Sequence, residues 1–90
     1  MFTFDFTDEL KLKIRKLLRK DRKKVEIIRK KALEIAGNDS DTIDHYKNLR
    51  HDLKNFKRVH IDRHFVLVFM VDKEANHILF VDFEHHDRVY

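Results

Sequence analysis

The sequence predicts an α+β domain in the order β-α-α-β-β-β, an N-terminal helical hairpin packed on a mostly antiparallel four-stranded sheet. Three observations predict it. Phe2, Phe4 and Phe6 alternate with Thr3 and Asp5, the period of two that marks a half-buried strand. Two apolar stripes follow at helical spacing, Leu10, Ile14, Leu17 and Leu18, then Val25, Ile28, Ala32, Ile35 and Ala36. Beyond the lone glycine, Gly37, short apolar runs alternate with polar turns.

Thr7 or Asp8 can cap the first helix, since either side chain accepts from the free N–H groups of the first turn. The all-charged run Arg19-Lys20-Asp21-Arg22-Lys23-Lys24 separates the stripes, and Asp21 is a suitable cap for a second helix. An antiparallel hairpin is the reading adopted; one long helix is the alternative, because neither Gly nor Pro marks the break. Gly37-Asn38 is the strong helix stop. Residues 38–53 are polar, a loop with one helical turn around Thr42–Asn48. Phe56–Asp62 alternates, with Val59 and Ile61 on one face and Arg58, His60 and Asp62 on the other. Phe65–Val71 is continuously apolar, as expected of a central strand covered on both sides. Asp72–Asn76 is a hairpin loop and His77–Phe83 the last strand.

Ninety residues with 42% apolar content make a single domain, 1–90, with one core. The absence of cysteine excludes a disulfide frame and a thiolate zinc site. Residues 1–6 lack a basic leader and no apolar run approaches a membrane span, so the expected location is cytoplasmic. The net charge of +4 is unevenly spread. Between Leu10 and Lys31 stand twelve Lys or Arg against Asp21 and Glu26, whereas residues 32–90 hold eight basic and eleven acidic residues. Lys11, Lys13, Arg15, Lys16, Arg19, Lys20, Arg22 and Lys23 therefore form a candidate phosphate-binding surface, although a solvated helix face fits the charge equally well.

The chemistry-bearing residues lie later. Arg58 and His60 share the polar side of their strand, with Arg63 and His64 just beyond, and the chain closes on Glu84-His85-His86-Asp87-Arg88-Val89-Tyr90. Short hairpins bring these segments together in a shallow cleft of His60, His86, Arg58, Arg63 and Tyr90, with Lys54 and Lys57 at its edge. Such a set suits attack by an RNA 2′-hydroxyl on its own phosphodiester. That reaction needs a base, cations for the phosphorane charge and an acid for the leaving 5′-oxygen. Tyr90 can stack on an unstacked base, or simply pack its ring over an exposed edge. His60 can equally be a surface or hydrogen-bonded structural residue. His85 and His86 alternate across the strand, so one of them at most is expected in the cleft. His85, His86 and Asp87 with His60 or His64 also spell out metal-ligand types, but no pair has ligand spacing on a helix; no metal, no cofactor and no membrane partner is expected.

The ordered set resembles the RelE/ParE superfamily of toxin–antitoxin toxins. The resemblance lies in the element order, in Tyr46-Lys47-Asn48-Leu49-Arg50-His51-Asp52-Leu53 running on into Phe56-Lys57-Arg58-Val59-His60-Ile61 and Phe65-Val66-Leu67-Val68-Phe69, and in the closing His-His-Asp-Arg-Val-Tyr. It is similar to the RelE, YoeB and YafQ branch rather than to the ParE gyrase poisons. The resemblance implies a ribosome-dependent, metal-independent endoribonuclease that leaves a 2′,3′-cyclic phosphate on mRNA, restrained by a cognate antitoxin. It further implies His60 and His86 in proton transfer, Arg58 and Arg63 on the phosphorane, Tyr90 on the nucleotide, and the basic helices, with Lys54 and Lys57, on RNA. A ParE-like or non-catalytic member, acting by binding gyrase, an antitoxin or nucleic acid, is the alternative. Two departures stand out: Glu84 occupies a position where some members carry arginine, and Asn55, which tolerates a left-handed turn, replaces the usual glycine.

Overall fold

Two helices lie against one face of a five-stranded mixed sheet, in a computed structural model that describes residues 1–49 and 55–88, the Arg88 side chain excepted. The chain runs through β1 (Thr3–Phe6), α1 (Asp8–Lys20), α2 (Arg22–Ala36), a 3-10 turn (Thr42–His45), β2 (Lys47–Asn48), β3 (Phe56–His60), β4 (Phe65–Asp72), β5 (His77–His85) and a second 3-10 turn (His86–Arg88). The strand order is β1-β5-β4-β3-β2, with β1 parallel to β5 and the other pairs antiparallel. No helix among the described residues is long and apolar enough to cross a membrane.

The hairpin exists because each helix has its own cap. Thr7 accepts from Leu10 N and opens α1, while Asp21, extended at φ −152°, accepts from Lys24 N and opens α2. One residue thus breaks what helical periodicity alone would allow to continue. The stop after α2 differs from the expected glycine device. Gly37 is right-handed at φ −72°, and the Asn38 side-chain amide donates to the carbonyls of Glu34 and Ile35. Nor does Asn55 use its left-handed freedom: Asn76, in the β4–β5 turn at φ 54°, is the positive-φ position among the described residues.

The core lies between the hairpin and the sheet. Leu10, Ile28, Ala32 and Ile35 of the helices meet Leu67, Phe69, Ile78 and Phe80 of the two central strands. Phe80 stacks on Phe6 with ring centroids 5.1 Å apart and meets Phe69 at 5.8 Å. On the opposite face Val66 and Val68 of β4 are also buried. In register with them stand His60 and Glu84, and Arg58 and Asp82, whose longer side chains can lean over the small valines.

Two features depart from the sequence expectation. Lys47–Asn48 forms a fifth strand against β3, Lys47 opposite Arg58 and Asn48 opposite Lys57. And β5 carries a bulge: Asp82 faces Val68 while Phe80 faces Phe69, so Val81 is the extra residue. Ile78 and Phe80 point into the core before the bulge, and Phe83 does so after it. The spacing of three between Phe80 and Phe83, where a regular strand needs two, is the trace of this bulge in the sequence. Thr7 anchors it, its N–H donating to Phe80 O and its hydroxyl to Val81 O.

Candidate active site

The bulge decides what the end of β5 presents. It turns Asp82 and Glu84 to the face bearing Arg58 and His60, and sets His85 beside Phe65, ring centroids 5.4 Å apart. The 3-10 turn then begins at His86, where strand alternation ceases. The His86 N–H donates to His64 O at 2.8 Å, drawing this turn onto the β3–β4 connection. Four imidazoles gather there. Ring centroids are 6.4 Å apart for His60 and His86, 6.3 Å for His64 and His86, 5.9 Å for His64 and His85, and 4.8 Å for His85 and His86.

Of His85 and His86, the latter is the one beside His60: His85 stands opposite Phe65 on the helix side of the sheet, although its ring comes within 4.8 Å of that of His86. Alternation holds within a strand, and the strand ends between them. His64, which the sequence places merely nearby, is a full member of the cluster. His60 is exposed at the end of β3, two residues after Arg58 and on the same face of the strand. Arg58 is half-buried, and its Nε is shielded from solvent with no hydrogen-bond partner among the described residues. A shallow groove of about 240 Å³, lined by His45, Tyr46, Lys47, Arg58, Val59 and His60, extends from the imidazoles toward β2. Arg63 is exposed in the β3–β4 connection. Tyr90 and Lys54 lie outside the described residues.

The β3–β4 connection is held from the helical side. Asp62 Oδ1 accepts from the backbone N–H groups of His64 and Phe65, each at 2.9 Å, and its other oxygen pairs with Lys24 of α2 at 3.0 Å. Lys24 Nζ also lies 4.1 Å from the centre of the Phe65 ring. Partial burial works against the Asp62 carboxylate, but the His64 N–H, Lys24 and the Phe65 N–H outweigh it and hold its pKa below the usual value.

Two of the proposed phosphate-binding lysines are committed elsewhere. Lys57 points inward, 7% exposed, and its ammonium donates to Tyr46 O at 3.2 Å and Asn48 Oδ1 at 3.1 Å. The alternation that puts Arg58 and His60 outward necessarily puts Lys57 on the helix side, where those two acceptors offset the cost of burial. Lys13 reaches the edge of β5 and donates to Asp82 at 2.7 Å, Phe83 O at 2.8 Å and Glu84 at 3.1 Å. Desolvation lowers its pKa, yet the two carboxylates prevail and raise it. Lys13 thereby neutralises acidic charge on the imidazole-bearing face, that of Glu84 included. Lys11, Arg15, Lys16, Arg19, Lys20, Arg22 and Lys23 are exposed along the helices.

Comparison with known proteins agrees with this architecture. No protein-family model matches the chain. A protein of Methanocaldococcus jannaschii named "Putative toxin RelE4" is 48% identical over 90 residues, spanning 100% of this chain and 92% of its own length. The toxin–antitoxin structure described as the YoeB-YefM complex from Staphylococcus aureus superposes with a TM-score of 0.73 at 21% identity, covering 96% of this chain and 98% of the matched one. A metal-bound toxin from Helicobacter pylori gives a TM-score of 0.72 at 22% identity, with 100% of both chains covered.

Proposed function

The chain belongs to the RelE/YoeB toxin superfamily, and from that premise we propose that it is the toxin of a toxin–antitoxin pair, an endoribonuclease acting on mRNA in the ribosome without metal. The observation that carries the reading is the placement of His60 and His86, centroids 6.4 Å apart, on the face that also bears Arg58. A phosphodiester lying between two imidazoles at that separation brings one ring nitrogen within roughly 3 Å of the attacking 2′-oxygen and the other within reach of the leaving 5′-oxygen. His60 takes the 2′-hydroxyl proton as the oxygen attacks phosphorus. His86 delivers a proton to the 5′-oxygen as that bond breaks, leaving a 2′,3′-cyclic phosphate. The Arg58 guanidinium, whose buried Nε has no partner among the described residues, and Arg63 stabilise the charge that builds on the phosphorane. Tyr90 stacks on the nucleotide.

The remaining basic residues of α1 and α2 supply docking. Lys11, Arg15, Lys16, Arg19, Lys20, Arg22 and Lys23 bind ribosomal RNA through its phosphates, and a cognate antitoxin restrains the toxin by covering it. Induced expression of the wild-type protein is expected to arrest growth and to create new mRNA 5′ ends within reading frames. His60→Ala and His86→Ala each remove a proton-transfer group and are expected to lower cleavage about 10²–10⁴-fold. Growth arrest with intact mRNA, or cleavage untouched in both variants, would overturn this mechanism.

A further inference from the structure

We infer that His85, His86 and Asp87 form a site for a late first-row divalent cation of the Zn²⁺ class, and that its occupation switches off the cleft. Ligand atoms of the three residues lie within 4.8 Å of one another. The Asp87 carboxylate bridges the two imidazoles, one oxygen 3.0 Å from His86 Nδ1 and the other 3.4 Å from His85 Nδ1. Metal–nitrogen and metal–oxygen bonds of about 2.0–2.2 Å separate tetrahedral ligands by roughly 3.3 Å; the two carboxylate–imidazole distances already match this, and ligand atoms now up to 4.8 Å apart close on the ion by rotation of exposed or half-buried side chains. Two imidazoles and one carboxylate are the donor set of an open zinc site, with water completing the tetrahedron.

The three ligands are consecutive in sequence, and only the passage from β5 into the 3-10 turn makes them converge. A regular strand would send His85 and His86 to opposite faces. The turn is held from outside by the bond from His86 N to His64 O, so its shape does not depend on the ion. His64 lies alongside, its ring centroid 5.9 Å from that of His85, and can take over the fourth position or accept a hydrogen bond from the bound water. The bond from Asp87 N to His85 Nδ1, 3.3 Å long, is weak enough for coordination to displace.

A metal on His86 takes the lone pair that proton transfer requires, which makes the ion an inhibitor. That consequence rests on the nuclease reading; the binding itself does not. Zn²⁺ titrated into the purified full chain by calorimetry, without RNA, is expected to bind at one ion per chain. Asp87→Ala removes an exposed ligand and His85→Phe keeps the ring against Phe65 while removing the nitrogen; each is expected to weaken binding about tenfold or more. Circular dichroism checks that both variants remain folded. Absence of one-to-one binding, or wild-type affinity in both variants, would overturn the site. In a translation extract, Zn²⁺ is expected to suppress cleavage by the wild type and to spare Asp87→Ala; equal suppression of both would overturn the switch. A protein that binds Zn²⁺ through this turn yet cleaves no mRNA overturns the nuclease reading and leaves the metal site standing.

Discussion

Single residues divide sharply between those whose position follows from alternation and those placed by a local break in it. Arg58, His60 and inward-facing Lys57 follow from the period of two on β3, so the outward pair is legible in the sequence. Lys57 misleads because its charge suggests solvent, while Tyr46 O and Asn48 Oδ1 make burial tolerable. His64 and His85 are hard to foresee for a different reason: their proximity depends on the bulge at Val81 and on the bond from His86 N to His64 O. Neither leaves more in the sequence than one apolar spacing of three. Asp62 is the residue on which this arrangement most depends. Its carboxyl is held below the value near 3.8 of an unperturbed aspartate, so its stabilisation is fully present above that pH and is lost as pH falls through the folded value. The amides of His64 and Phe65 are therefore expected to lose exchange protection below about pH 4 in the wild type. In Asp62→Asn that step should be missing; an unchanged acid profile would remove Asp62 from this role.

The helical hairpin is the most legible element, because its punctuation is chemical and local. Thr7 and Asp21 both stand where a side-chain oxygen meets an unpaired N–H. Asp21→Ala is expected to cost about 1 kcal/mol, a fall in Tm of roughly 4–8 °C for a domain of this size. Asp21→Gly, which keeps the backbone freedom of a cap, should lose less; calorimetric melting of the two variants checks the order. The fifth strand is not legible. A two-residue strand is too short to show a period, and Lys47–Asn48 draws its geometry from pairing with β3 rather than from its own composition. The last strand is foreseeable, but its apolar pattern stops at Phe83, short of its true end. Glu84 and His85 carry strand geometry through pairing with Val66 and Phe65, although neither is a strong strand former.

At the scale of the molecule, one flank carries exposed basic charge and the far end of the sheet carries the imidazoles. The basic residues of α1 and α2 other than Lys13 and Lys24 are exposed or only partly buried, so replacing Arg15, Lys16, Arg19 and Lys20 together by Gln removes charge without opening the core. The quadruple variant is expected to keep its melting temperature within a few degrees and to bind ribosomes less tightly. The slope of log affinity against log salt should become shallower by about 0.7–0.9 for each phosphate that the variant no longer neutralises. An unchanged slope in ribosome co-sedimentation would assign the helices to solvent or to another partner.

The parallel pairing of β1 with β5 also dictates an order of assembly. Thr3 sits opposite His77, 74 residues away, and Phe6 stacks on Phe80 in the middle of the core. Pairings of such long range close late, since the chain must lose most of its freedom before they contribute. During synthesis the opening strand has no partner until the final strand has been made. The core, the bulge and the imidazole cluster thus come into being together, in a single late step. The imidazole cluster waits on the same event, because His85 and His86 stand at the end of β5 and in the turn that follows it.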